Sequence, residues 1–93
     1  NNITNSNING LLFDENTWGF DIWLSARVIA SSNLYSNYFI RGVNKGSSWE
    51  LITTYVGDQI TTFSITNTGQ LQYSTPNFPD VDTIIFKYKV VTN

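Results

Sequence analysis

The longest alternation of apolar and polar residues runs from Phe20 to Ala30. Side chains of an extended chain point alternately to two faces, so the pattern predicts a strand with one apolar face towards a core. The opposite face holds Asp21, Ser25 and Arg27, but also Trp23 and Ile29. That is more apolar area than an open face normally shows. Two interpretations stay open: loops of the same chain cover Trp23 and Ile29, or a neighbouring subunit does.

Three shorter runs between Trp49 and Tyr73 predict further strands, because β-branched and aromatic residues alternate with polar ones. Gly57 and Asp58 end the first run, and Asn67-Thr68-Gly69 separates the other two. A glycine in the last place of a three-residue loop suits a hairpin that needs a positive φ there. We predict that these runs form a three-stranded meander.

The remaining runs complete an all-β pattern. Leu11 to Phe13 predicts a first short strand, Leu34 to Val43 another, and Thr83 to Val91 the last one. The sequence thus predicts about seven strands and shows no helical period. Turn signals recur every eight to twelve residues, which is typical of a compact antiparallel β-sandwich or a jelly-roll-like domain.

The first ten residues differ in composition from the rest. Asn1 to Asn9 is almost entirely Asn, Ser, Thr and Ile, which offers little apolar area to bury. We therefore expect residues 1–10 to form a connector to a preceding shaft or linker, and residues 11–93 to form a single β domain.

Composition favours assembly over other means of stabilising a small domain. A chain of 93 residues buries a modest share of its surface, and this one has neither Cys for disulfides nor His for metal ligation. Oligomerisation is the remaining common device. The net charge of -2, with five basic residues, argues against a nucleic-acid partner, and no apolar run has the length of a membrane span.

Catalysis is not expected from these residues. Without His or Cys, no ordinary base is present to activate a nucleophile at neutral pH. Asp80 and Asp82 offer two carboxylates, fewer oxygens than the six to eight of a Ca²⁺ site, so a solvated turn is the simpler interpretation. We predict a non-enzymatic domain without a metal or cofactor.

Three loops are candidates for contacts with other molecules: Asp14 to Trp18, Asn44 to Ser48 and Asn77 to Asp82. Loops tolerate the changes that a binding surface undergoes, and we expect these three to lie together at one end of the domain. Their exposed groups are Trp18, Lys45, Phe78 and Asp80, whereas Trp23 and Ile29 are the candidates for a subunit interface. The many aromatic residues also leave open a sugar-stacking platform, although most rings in so short a chain serve the core or an interface.

Several motifs resemble a group of viral domains. The chain has a Val-Gly-Asp turn at Val56, a Phe-Ser-Ile strand at Phe63, a Gly-Gln-Leu-Gln-Tyr hairpin from Gly69 and a closing Phe-Lys-Tyr-Lys strand from Phe86. In this order they resemble the C-terminal heads of fibre-like and collagen-like structural proteins of large DNA viruses and phages. The resemblance covers roughly residues 20 to 91.

The resemblance implies a homotrimeric head at the end of a fibrous shaft on the virion surface, outside the cell. Such a head registers the chains of the fibre and presents loops for host attachment, with a host-surface glycan or protein receptor as target. The alternative is a monomeric carbohydrate-binding module of a secreted protein.

Overall fold

The computed structural model describes residues 3–78 and 83–93. In these ranges the chain is all-β, with strands β1 (Ile3–Leu12), β2 (Gly19–Ile29), β3 (Leu34–Asn44), β4 (Trp49–Gly57), β5 (Thr62–Ile65), β6 (Gln70–Thr75) and β7 (Thr83–Thr92). They form two antiparallel sheets, ordered β1-β6-β5 and β4-β3-β2-β7. The predicted β-sandwich is confirmed. The described residues include no helix of the length and hydropathy that a membrane span requires.

The core lies between the two sheets and follows the alternation of β2. Phe20, Ile22, Leu24, Ala26 and Val28 are all buried, as the pattern predicts. The facing sheet contributes Ile8, Leu11 and Leu71 to the same cluster. Burial of such side chains stabilises a fold by about 1.5–3 kcal/mol each, so this layer supplies most of the driving force for folding.

The predicted boundary of the first strand is wrong. Strand β1 begins at Ile3, not Leu11, and pairs with β6 from Ile3↔Thr75 to Leu12↔Gln70. Residues 3–10 therefore belong to the sandwich and are not a connector outside it. Ile8 and Leu11 point into the core, while the polar residues of the strand face outward. A strand on one side of a sandwich needs only its inward positions to be apolar, which explains why so polar a segment is ordered here.

The predicted meander is also wrong in one connection. Strand β4 pairs with β3, and residues 58–61 carry the chain across to β5 in the other sheet. Ile60 and Thr61 on this crossover are buried, and both donate their backbone N–H groups to the hydroxyl oxygen of Tyr38, at 2.9 and 3.1 Å. Tyr38 itself is 3% exposed. A single buried oxygen on β3 thus satisfies the backbone of the crossing segment.

The β5–β6 hairpin has the predicted turn. Gly69 has a φ of 93°, and the loop closes through Gly69 N to Thr66 O and Thr66 N to Gln70 O, both 3.0 Å. A Cβ on Gly69 would lie 2.2 Å from the carbonyl oxygen of Phe13, so both the backbone angle and the space require glycine. The Phe13 ring stacks on Phe20 at 4.2 Å and closes this end of the core.

Candidate functional site: the outer face of the four-stranded sheet and its loop end

The outward side of the β4-β3-β2-β7 sheet carries many exposed apolar side chains. We call a set of them, together with the partly buried Phe39, the aromatic face. Its members are Trp23, Tyr35, Phe39, Val56 and Ile85. Trp23 is 48% exposed and stacks on Phe39 of the neighbouring strand, with ring centroids 5.3 Å apart. Exposed apolar patches on this scale usually mark a surface that another molecule covers.

Basic side chains surround these rings. Of the five basic residues in the chain, four (Arg27, Arg41, Lys87 and Lys89) occupy outward positions of this sheet. The Arg27 guanidinium lies 5.5 Å from the Tyr35 ring centroid, and that of Arg41 lies 5.8 Å from the Phe39 centroid. These are cation–π distances, so the two arginines are partly held by the rings. The chain has a net charge of -2, yet this face is its basic side.

The outer face of the three-stranded sheet has a different chemistry. Its polar side chains bond to one another: Gln72 Nε2 donates to Asn7 Oδ1 at 2.8 Å, and Ser74 Oγ donates to Asn5 Oδ1 at 3.3 Å. Gln70 Nε2 donates to the carbonyl oxygens of Ile8 and Leu71, at 3.1 and 2.8 Å. Much of the hydrogen-bonding capacity of this face is therefore used within the sheet.

Trp18 stands exposed on a well-anchored loop at one end of the sandwich, which we call the loop end. Its indole side is open, with the residue 77% exposed, but its backbone is fixed: Trp18 N donates to Asn93 O at 2.7 Å, and Asn44 N donates to Trp18 O at 2.9 Å. The preceding turn is held by Asp14 Oδ1, which accepts hydrogen bonds from the N–H groups of Asn16 and Thr17. An exposed ring on an ordered backbone is available for stacking at little cost in entropy.

Two ion pairs lie at the same end of the sandwich as Trp18. Arg41 Nε donates to Asp21 Oδ1 at 3.0 Å, across the β2–β3 ladder, and Lys45 Nζ lies 3.4 Å from Glu50 Oε2. Together with Trp18, the side chains of Asp21, Arg41, Glu50, Ile52 and Asn93 line an open groove of about 840 Å³, which we call the loop-end groove. Sequence reasoning named Trp18 and Lys45 here but missed Asp21, Arg41 and Glu50. Asp21 and Arg41 are neighbours through the register of the β2–β3 ladder, which the turn signal between the two strands does not fix to the residue.

The predicted loop residues do not all come together. Trp18 and Lys45 lie at the loop end, where Asn44 Nδ2 also donates to Thr17 O at 3.0 Å. Phe78 follows Thr75, which pairs with Ile3 at the opposite end, so the expectation that all three loops share one end is wrong. Phe78 is also partly buried against the core and is not the exposed group that we expected. Asp80 lies outside the described residues.

The two predicted interface residues lie on the outward side of β2. Trp23 belongs to the centre of the aromatic face, whereas Ile29 is partly buried at the last position of the strand, opposite Thr83 of β7. Their position agrees with the predicted alternation. Whether a second chain covers them stays a prediction.

The described carboxylates mostly have structural partners. Asp14 holds the turn before Trp18, Asp21 and Glu50 form the two ion pairs, and Asp58 Oδ2 accepts the backbone N–H of Tyr35 at 3.0 Å. Within residues 3–78 and 83–93 no group of three or more potential ligands is placed to hold a metal ion. The chemistry available at the loop end is therefore stacking, hydrogen bonding and charge pairing.

Comparisons with models of protein families, with curated proteins and with solved structures find no match to this chain. The resemblance to viral fibre heads therefore stays a prediction from the sequence motifs. The assignment of function depends on the two surfaces described above.

Proposed function

We propose that this protein is a non-enzymatic head domain that joins copies of itself into a homotrimer through the aromatic face and presents its loop end for attachment to a host receptor. The observation that carries the proposal is the stacked pair of Trp23 and Phe39 at the centre of an exposed sheet face. The place of such a domain, as the motif resemblance implies, is the tip of a viral fibre.

The composition of the aromatic face fits a protein–protein contact. The buried centres of such interfaces are enriched in aromatic residues and arginine, and lysine is depleted there. Trp23, Phe39 and Tyr35 occupy the two central strands together with Arg27, whereas Lys87 and Lys89 lie on the edge strand β7. This arrangement of aromatic centre and lysine rim supports a contact centred on β2 and β3.

Charge favours a ring over a face-to-face pair. In a two-fold dimer each patch meets its own copy, which would bring the basic faces of two chains together. In a cyclic trimer the face meets a different surface of the next chain. Four of the five basic residues are on this face, and Asp14, Glu15 and Asp58 lie in loops outside the strands, so a neighbouring chain offers acidic groups that can complement it.

The shape and size of the chain also support assembly. The domain measures 44 × 21 × 18 Å, an elongated form whose long side can lie along a fibre axis. A 93-residue sandwich without disulfides has a small core, and burial of the aromatic face adds apolar contacts that a single chain lacks. Assembly would therefore raise stability as well as set the register of the chains.

The absence of His and Cys, and the structural partners of the carboxylates, support a role without catalysis. Attachment is assigned to the loop end because Trp18 and Lys45 are brought together there on an ordered backbone. The second candidate function is a monomeric carbohydrate-binding module of a secreted protein, which the exposed Trp18 indole favours.

The mass of the protein in solution distinguishes the trimeric head from the monomeric carbohydrate-binding module. Light scattering coupled to size exclusion, at micromolar chain concentration, is expected to give three times the 10.5 kDa of one chain. A stable species of 10.5 kDa would contradict assembly through the aromatic face and would select the monomeric module. Leu12→Ser removes an exposed apolar side chain outside the aromatic face, so this control variant should keep the trimer mass.

A further inference from the structure

We infer that the loop-end groove binds a neutral saccharide, with Trp18 as the stacking platform. This inference rests on the attachment part of the proposed function and names the class of ligand. It does not require that the groove be formed by more than one chain, because all of its lining residues belong to one copy.

The groove combines a flat ring with polar groups. A pyranose presents an apolar C–H face, which stacks on an aromatic ring, and hydroxyl groups around its rim, which need both donors and acceptors. Trp18 supplies the ring and is 77% exposed. Arg41 supplies donors, and Asp21 and Glu50 supply carboxylate acceptors at the same groove. Ligand sites commonly combine apolar walls with a few fixed polar groups in this way.

Parts of the groove are already held in place by hydrogen bonds within the chain. Trp18 is held at both its backbone N–H and its carbonyl oxygen, by Asn93 and Asn44, before any ligand is present. The Asp21 carboxylate fixes Arg41 through its Nε at 3.0 Å, and neither terminal NH₂ group of Arg41 has a partner among the described residues. Those two groups are free to donate to ligand hydroxyls. A site that is already ordered loses little entropy on binding.

The charges at the groove balance, which favours neutral ligands. Arg41 is paired with Asp21, and Lys45 is paired with Glu50, so the ionised groups at the groove cancel. A phosphate, sulfate or sialic acid would meet two carboxylates as well as the two cations. An uncharged sugar can use the same groups as donors and acceptors without a charge penalty.

The groove and the proposed subunit contact are neighbours but use different residues. Asp21 precedes Trp23 by two residues along β2. Its partner Arg41 follows Phe39 by two residues along β3. The groove therefore lies on the loop-end side of the aromatic face. Trp18 serves the groove and Trp23 serves the contact, which allows each function to be removed separately.

The test is a titration of the intact domain with neutral oligosaccharides of glucose, galactose, mannose and N-acetylglucosamine, followed by the NMR signal of the Trp18 indole N–H, while the affinities of the variants are compared with that of the unchanged protein by isothermal titration calorimetry. We expect a saturable shift with at least one of them. Trp18→Ala should weaken that binding by about tenfold or more, since it removes the stacking surface. Leu12→Ala, exposed on another strand, should bind as the unchanged protein does.

Asp21→Asn tests the charge argument. It leaves Arg41 unpaired, so binding of the neutral sugar should fall while a sulfated or sialylated analogue gains affinity. The inference is overturned if no neutral oligosaccharide shifts the Trp18 signal at millimolar concentration, if Trp18→Ala binds unchanged, or if only anionic saccharides bind. If the protein is a monomer that binds sugar through Trp18, the proposed trimer is wrong and the sugar site stands. If it is a trimer without such binding, the sugar site is wrong and the trimer stands.

Discussion

The outer faces of the two sheets differ in how far their side chains already have partners within the chain. On the three-stranded sheet, Gln72 donates to Asn7 and Ser74 donates to Asn5, so several polar atoms of these side chains already have partners within the chain. On the four-stranded sheet, Trp23 stacks on the partly buried Phe39 and is still 48% exposed to solvent. A polar face whose groups are already paired gains little free energy from contact with a second chain. Covering exposed rings is favourable because it removes apolar area from water. The contrast makes the outer face of the four-stranded sheet the stronger candidate for the centre of a subunit contact.

The largest expected effect comes from removing the exposed rings. Trp23→Ser with Phe39→Ser should convert the trimer to monomer, because buried aromatic anchors at an interface contribute about 2 kcal/mol or more each. Analytical ultracentrifugation measures the loss, and circular dichroism checks that the strands persist. Trp18→Ser is the matched control, since it removes an exposed Trp outside the aromatic face and should keep the trimer. A trimer that survives the double substitution would show that the contact lies elsewhere.

A core substitution should separate loss of fold from loss of assembly. Tyr38→Phe leaves the buried N–H groups of Ile60 and Thr61 without their acceptor, which should lower the free energy of unfolding by about 2–3 kcal/mol. Denaturant unfolding measures this at fixed chain concentration. Tyr35→Phe removes a hydroxyl whose 3.3 Å hydrogen bond from Asn33 Nδ2 is exposed within one chain, so it should change the unfolding free energy by less than about 0.5 kcal/mol. Equal effects of the two would mean that the crossover does not depend on Tyr38.

Reversing the charge of the edge strand tests the electrostatic part of the contrast. Lys87→Glu with Lys89→Glu should weaken assembly by about tenfold at low salt, because the rim would then repel the acidic surface of the next chain. The difference should shrink at high ionic strength, since exposed charges are screened. Assembly measured by sedimentation at two salt concentrations gives both results. A charge reversal that strengthens assembly would contradict the complementarity that we propose.

The smallest effect is expected on the self-bonded sheet. Asn7→Ala removes the acceptor of the 2.8 Å bond from Gln72 and should cost about 0.5–1 kcal/mol of unfolding free energy, without changing the oligomeric mass. Asn9→Ala is the control on the same strand, because its side chain has no hydrogen-bond partner within the described part of the chain. A change of oligomeric mass in Asn7→Ala would remove the contrast between the two faces.

The sequence predicted the parts of the fold that depend on local pattern. The alternation from Phe20 to Ala30 gave the buried side of β2 residue by residue, and the place of Gly69 gave the hairpin turn. It failed for residues 3–10, because Asn and Ser are uncommon in strands and the side-chain bonds between β1 and β6 cannot be read from one segment alone. Periodicity also cannot say which sheet a strand joins, so the crossover after Gly57 was missed.

The candidate site shows the same limit. Trp18 and Trp23 could be named from the sequence, since an aromatic residue in a polar loop or on a polar strand face stands out. The prediction for Phe78 was wrong because the end of the sandwich at which its loop lies depends on how the preceding strand pairs. Asp21 and Arg41 form a pair only through the β2–β3 register. Contacts between strands required the structure.

The claim that a second chain covers the aromatic face is tested most directly by the solvent accessibility of the three indole N–H groups. Trp18 and Trp23 are both exposed in one chain, at 77% and 48%, while Trp49 packs against the core. A soluble paramagnetic probe added at high protein concentration should broaden the signal of Trp18 and leave that of Trp23 nearly as sharp as that of Trp49. Broadening of Trp23 to the same degree as Trp18 would show that the face is open in solution and would contradict the account.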